Sequence, residues 1–194
     1  MDMNMVAQRL EQSITYYTEQ LARYDMEQLT RKPGEEQWSL GQMYNHLIGS
    51  ALGMQFANID ECIRQSEQQE QAQGNATHSE AQGKTDIGTM LFAKGSFPPE
   101  PVRVPPHPAY TPQQPMSREQ LQAGLQQVRS RIQPLAARVQ HIPSHYTVRH
   151  PRLGDLTATE WFMLTEMHYR HHLHQKRRLD EFLQMEHSRM DQTI

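Results

Sequence analysis

Thiol chemistry is nearly absent from this chain: Cys62 is the one cysteine among 194 residues. No intrachain disulfide is therefore available, and zinc sites built from thiolates are excluded. Long apolar runs are missing too. No stretch approaches the roughly 18 residues that a membrane span needs, and the opening MDMNMVAQRLEQ has neither the basic nor the apolar region of a secretory leader. A strong charge imbalance is also lacking. A formal net charge of −3 does not provide the basic surface that displaces counterions from a phosphate backbone, so nucleic acid is not an expected partner. The short run Lys176-Arg177-Arg178 is read as a solvated helix face. Aromatic residues make up 7% and hydrophobic residues 36%, with a mean hydropathy of −0.82, so the core must be economical. These absences leave one soluble domain over residues 1–194, expected in the cytoplasm.

What the chain does have is helical periodicity. Apolar residues recur by threes and fours over about residues 4–29 (Val6, Leu10, Ile14, Tyr17, Leu21, Tyr24), and further stripes run over about 39–66, 117–141 and 157–186. In the second stripe Leu40, Met43, Leu47, Ala51 and Met54 form the core face. In the third, Leu121, Leu125, Val128, Ile132, Leu135 and Val139 form an a/d-like seam that suits a helix bundle. The last three helices open on capping boxes: Ser39 with Gln42, Ser117 with Gln120, Thr157 with Glu160. Each box has a matching hydrophobic staple, Trp38 with Met43, Met116 with Leu121, and Leu156 with Trp161. Pro134 argues for a kink or an early end in the third helix.

Residues 67–116 form a long connection between the second and third helices. Its first part is rich in Gln, Glu and Gly, which predicts mobility, and its second part, FPPEPVRVPPHPAYTPQQP, is too proline-dense to be helical. The intervening GTMLFAKGSF, residues 88–97, carries enough apolar side chains to dock on the bundle. Residues 142–157 are expected to be a second irregular piece.

The chemistry concentrates in EMHYRHHLHQKRRLDEF, residues 166–182, which holds four histidines within seven residues. At about 100° per residue with Trp161 as origin, Leu179, Leu183, Leu164 and Phe182 define a buried stripe. His168 and His172 fall within about 20° of its centre, whereas His171 and His174 lie on the flank, Arg170 faces away, and Glu166 lies about 140° off. Two imidazoles one turn apart on a buried face serve either as ligands of one cation or as hydrogen-bonded structural residues. His46 is the one further histidine in the first three helices before His141. On its own it fits a structural role, but Gly49, Ser50 and Gly53 beside it leave room for a pocket at the bundle edge. Together with a pair centred on the buried stripe it favours a metal site. His107, His141, His145 and His150 read as loop or surface residues, with His150, before Pro151, the one able to approach the site.

Trp38-Ser39, Asn45-His46-Leu47, His150-Pro-Arg-Leu-Gly154-Asp-Leu-Thr-Ala-Thr-Glu-Trp161 and His168-Tyr-Arg-His171-His172-Leu-His-Gln175 together resemble the DinB-like family, which includes YfiT-type hydrolases and bacillithiol S-transferases. The resemblance spans the helical framework; the Gln- and Pro-rich insertion is atypical of shorter members. It implies an all-α, antiparallel four-helix bundle with a long crossover, often a homodimer. It also implies a divalent metal held by three histidines, which carries over onto His46, His168 and His172.

Three neutral imidazoles would leave coordination positions open for water or substrate, as in catalytic rather than structural sites. Zn²⁺, Ni²⁺ and Fe²⁺ all suit such nitrogen ligands. Two enzyme readings follow, each with a small-molecule substrate. One is transfer of a low-molecular-weight thiol to an electrophile, favoured by the resemblance; the other is hydrolysis of a small ester or amide. A non-catalytic protein that binds a metal or ligand is the third reading, with PPEP and PPHP as partner-docking segments or as a stiff loop over the pocket mouth. Gln175, near His172, is a candidate for orienting a ligand or its water. Tyr44 and Tyr169 are candidates for lining the cavity, although aromatics at helical spacing more often belong to the core.

Overall fold

The computed structural model describes residues 2–71, 83–98 and 111–191. In chain order its elements are α1 (Met3–Leu21), α2 (Met26–Thr30), α3 (Leu40–Ser50), a π-helical turn (Ala51–Gln55), α4 (Phe56–Gln71), α5 (Asp86–Lys94), α6 (Arg118–Val139), β1 (Thr147–His150), β2 (Gly154–Thr157) and α7 (Ala158–Asp191). The fold is an all-α antiparallel bundle of four long helices: α1, the continuous α3–α4 helix, α6 and α7. Both α1 and α3–α4 pack against α6 and α7. The stripes read from the sequence meet in one core, which includes Leu10 and Ile14 of α1, Leu47 of α3, Leu125 and Ile132 of α6, and Trp161 and Leu179 of α7. Burying each such side chain contributes about 1.5–3 kcal/mol. Among the described residues no helix is long and apolar enough to cross a membrane.

Local hydrogen bonding decides where the helices begin and end. The first helix, expected to run to residue 29, stops at Leu21 because Asp25 starts another. The Asp25 carboxylate accepts from the Gln28 amide at 2.8 Å, and the Gln28 side chain accepts from the Asp25 amide at 3.1 Å. This satisfies the orphan donors of a new N-terminus. The boxes at Ser39–Gln42 and Thr157–Glu160 are likewise closed in both directions. At Ser117 only the forward bond forms, for the Gln120 carboxamide accepts from Met116 instead. Met116 is 87% exposed, so the expected Met116–Leu121 staple buries nothing at that end. By contrast Leu156 and Trp161 are both buried, as their staple requires. The helix α6 continues past Pro134 to Val139, and the early end is not realised.

Within the second long helix the register changes by one residue. The Phe56 amide donates to the Ala51 carbonyl, an i to i−5 bond, so buried positions step through Leu47, Ala51, Gln55 and Ile59. Met54, expected on the core face, is left half-buried, and Gln55 takes its inward position.

The stretch 142–157 is not irregular throughout: it contains an antiparallel hairpin that pairs Thr147 with Thr157 and His150 with Gly154. Gly154 has φ +83°, and a Cβ there would meet the Gly83 carbonyl at 2.4 Å, so glycine is required. Residues 83–85 are sewn to the hairpin by Asp155 N–H to Gly83 O at 3.0 Å and Thr85 N–H to Leu153 O at 2.9 Å. The expected docking of residues 88–97 follows from this anchor: α5 starts at the Thr85 cap, buries Leu91, and ends at Gly95 in the left-handed conformation. PPHP with His107, and PPEP beyond Pro98, lie outside the described residues.

Three tyrosines tie the helices together inside the core. Tyr44 of α3 donates to the Tyr17 carbonyl at 2.9 Å, and Tyr17 of α1 donates to the Tyr169 carbonyl of α7 at 3.0 Å. Their rings meet edge to face at 5.6 and 5.8 Å.

Candidate metal centre

His46 is carried by α3, in the second turn after the Ser39 cap, while His168 and His172 lie one turn apart on α7. The packing of these two helices brings the three rings together. The Nε2 atoms of His46 and His168 are 3.0 Å apart, and those of His168 and His172 are 3.1 Å apart. One nitrogen from each ring lies within 4.8 Å of the others, and the cluster is geometrically able to hold a metal ion. Nitrogens bound tetrahedrally at about 2.0–2.1 Å stand about 3.3 Å from one another, so two edges of the triangle, at 3.0 and 3.1 Å, are close to that length.

The protonation states fit as well. Burial pushes the His46 imidazole down to about 4. Burial, reinforced by His46, pushes His172 down to about 3, with a hydrogen bond to Gln175 opposing the shift. Burial first, and then the neighbouring His172 and His46, hold His168 well below the ordinary range. All three rings are therefore neutral at physiological pH, as metal ligands must be. The Nδ1 atom of His172 lies 2.7 Å from the Gln175 carboxamide oxygen. That oxygen can only accept, so the proton sits on Nδ1 and the lone pair on Nε2 points at the cluster. The His168 Nδ1 atom faces the Gln55 side-chain amide at 3.3 Å.

Aromatic rings flank the site on two sides. Trp38 lies over His46 at 4.9 Å between centroids, and Phe97 approaches His168 at 6.3 Å and His171 at 5.2 Å. Phe97 follows α5, whose C-terminal Gly95 carbonyl accepts from Arg170 at 2.8 Å. Arg170 in turn makes a two-pronged ion pair with buried Glu166. Glu166 is thus committed away from the cluster, as its angle on the helix predicts, and Arg170, predicted to face away from the core, clasps α5.

The remaining sequence candidates divide cleanly. Gln175 stands beside His172, within the site. Tyr44 is fully buried beside Tyr17 in the core, with its hydroxyl donating to the Tyr17 carbonyl. Tyr169 is also a core residue, and its hydroxyl is buried without a partner among the described residues. His150 stands outside the three-histidine cluster, and its Nδ1 accepts from the Arg152 and Leu153 amides, each at 3.1 Å, closing the hairpin turn. His141, His145 and His174 are exposed. Gly49 and Gly53 border open space, as the expected room beside His46 requires. Gln55 was not foreseen, since an unbroken helix would turn Met54 inward in its place.

A family model described as the DinB superfamily matches residues 9–175. The chain belongs to the DinB superfamily. The match runs from α1 through Gln175, so this DinB-superfamily chain has all three clustered histidines and both glutamines inside the matched span. No curated protein and no solved structure matches it.

A second buried polar cluster lies one turn further along α7. Lys176, whose side chain is 1% exposed, pairs with Asp180 at 2.7 Å and lies 3.3 Å from the Tyr24 hydroxyl, which itself donates to Asp180 at 2.6 Å. The ammonium also sits over the rings of Tyr16 and Tyr24, at 5.5 and 5.3 Å.

Proposed function

We propose that this member of the DinB superfamily is a metal-dependent enzyme that joins a low-molecular-weight thiol to a small electrophile, with a divalent ion held by His46, His168 and His172. The observation that carries the reading is the convergence of three neutral imidazole nitrogens at 3.0–3.1 Å contacts, with the proton of His172 turned outward to Gln175. An ion between the three nitrogens would take a lone pair from each, with the ring hydrogens on the atoms that face away. A bound Zn²⁺, Ni²⁺ or Fe²⁺ supplies a Lewis acid that lowers the pKa of a coordinated thiol or water toward neutrality.

Two features of the chain favour thiol transfer over hydrolysis. The carboxylate of Glu166 is locked to Arg170, so it does not serve as the general base that hydrolysis calls for. Cys62 is fully buried and its thiol is pushed up to about 12 by burial, so a sulfur nucleophile has to come from outside. In the reaction the incoming thiol releases its proton to water, its sulfur forms a bond to an electrophilic carbon, and the bond from that carbon to the leaving group breaks, the leaving group departing with the electron pair. His46, His168 and His172 hold the centre, Gln175 orients His172, and Trp38 and Phe97 present apolar surface to the organic part of the substrate.

The test joins elemental analysis with a reaction. Protein loaded with each of the three metals is incubated with a thiol, either cysteine or glutathione, and an aryl chloride, and thioether formation is followed by absorbance. Metal-dependent product that His46→Ala abolishes supports the reading. Ester hydrolysis without thiol consumption would replace it by the hydrolase, and stoichiometric metal with neither activity by a binding protein.

A further inference from the structure

The π-helical turn has a chemical result at the site. In an ordinary helix the residue two turns beyond His46 on the inward face would be Met54, which cannot donate and accepts only weakly. The extra residue in the turn delivers a carboxamide instead. Gln55 is 2% exposed, its nitrogen lies 3.3 Å from His168 Nδ1, and its oxygen is buried with no partner among the described residues. Turning the amide by 180° exchanges these two atoms at little steric cost, since they are nearly the same size. Either orientation leaves one polar atom of the amide without a partner, so the proton on His168 decides between them.

That proton is constrained by the rest of the cluster. The His168 Nε2 atom faces both other rings, at 3.0 and 3.1 Å, and is the one of its two nitrogens that can share an ion with them. For Nε2 to offer a lone pair, Nδ1 must carry the hydrogen, and a buried N–H needs an acceptor. The group within reach is Gln55, through its oxygen. With the amide nitrogen facing Nδ1 the opposite tautomer results, which places a hydrogen on Nε2 and excludes it from coordination.

We infer that Gln55 is a positioning residue for the metal centre, its carboxamide oxygen accepting from His168 Nδ1–H as that of Gln175 accepts from His172. The inference rests on the proposed metal site but not on the thiol chemistry. The two clustered histidines of α7, His168 and His172, are then held by neutral acceptors rather than by carboxylates. A carboxylate would partly neutralise the ion through the ring and raise ligand basicity. Two carboxamides fix the tautomers and leave the ion's full charge for its substrate.

The experiment uses the full chain with Zn²⁺ alone as the probe, in Gln55→Ala, Gln55→Glu and His46→Ala forms. Zinc affinity is measured by chelator competition and the coordinating nitrogen of His168 by ¹⁵N NMR. Gln55→Ala is expected to weaken zinc binding roughly 10- to 100-fold. Gln55→Glu, with the same shape and a stronger acceptor, is expected to restore or exceed the parental affinity. A purely structural role predicts the reverse, because a carboxylate buried at that position would harm folding and binding alike. Parental affinity in Gln55→Ala, or zinc on Nδ1 of His168, overturns the inference. Failure of the metal site itself reads differently: the parent and His46→Ala then bind zinc equally weakly.

Discussion

Two buried polar clusters occupy successive turns of α7, and they are built on opposite rules. Residues 168, 172, 176 and 180 continue one i, i+4 line. In its second half every charge is answered: the Lys176 ammonium meets Asp180 and two tyrosine rings, and Tyr24 bonds to Asp180. In its first half the imidazole nitrogens point at one another, and the proton of His172 is turned away from them. The lower half satisfies itself and fastens α7 to Tyr16 of α1 and to Tyr24 in the turn that follows it. The upper half has instead the geometry to take up a cation. Burial alone therefore does not single out a candidate site; convergence of ring nitrogens from different helices does.

The sharpest way to break this contrast is to truncate one residue in each half. His168→Ala is expected to take bound metal from about one ion per chain to nearly none by elemental analysis, the scale of losing one of three ligands. Lys176→Met should retain the metal. Equal loss in both variants would mean that the halves act as a unit. Next in size, Asp180→Asn leaves the buried ammonium without a countercharge and should cost about 3–5 kcal/mol in urea unfolding, whereas replacing the pair together by Met and Leu should be nearly neutral.

Acid sharpens the contrast further in the metal-free protein. His46 and His172 titrate near 4 and 3 when folded, against 6.5 in the unfolded chain, so between those values the unfolded state binds more protons. Their stabilising contribution is complete above about 6.5 and is lost as pH falls toward 4. Denaturant midpoints at pH 7.5, 6 and 5 should fall in that order, and His46→Gln should flatten the trend. The smallest effect is expected at Cys62, which belongs to neither half. Cys62→Ala should cost about 1 kcal/mol and leave metal content and thiol transfer intact. A drop in turnover would bring this buried sulfur into the chemistry.

Much of this was legible in the chain, and the rest has identifiable reasons for being hidden. Ser39–Gln42 and Thr157–Glu160 could be read because a cap is a local contract between residues three apart. His168 and His172 could be read because spacing alone places them on the face of Trp161. The Asp25 box obeys the same rule but sits inside an apolar periodicity that runs straight across it. The hairpin at 147–157 was missed because its glycine and its edge pairing depend on Gly83 and Thr85, some seventy residues away. Gln55 was missed for a subtler reason. A π turn shifts the helix by one residue without altering its composition, so every position after Ala51 is rotated relative to the regular count.

The tyrosine ladder gives the first helix a part in a centre to which it contributes no ligand. Tyr44 adjoins the residue pair Asn45-His46, Tyr169 follows His168, and both are hydrogen-bonded to a single residue of α1, Tyr17. Tyr17 therefore links, from behind, the two helices that carry the clustered histidines. Exchanging it for phenylalanine would remove the bond to the Tyr169 carbonyl, and His168 should then shift relative to His46 with every imidazole left in place.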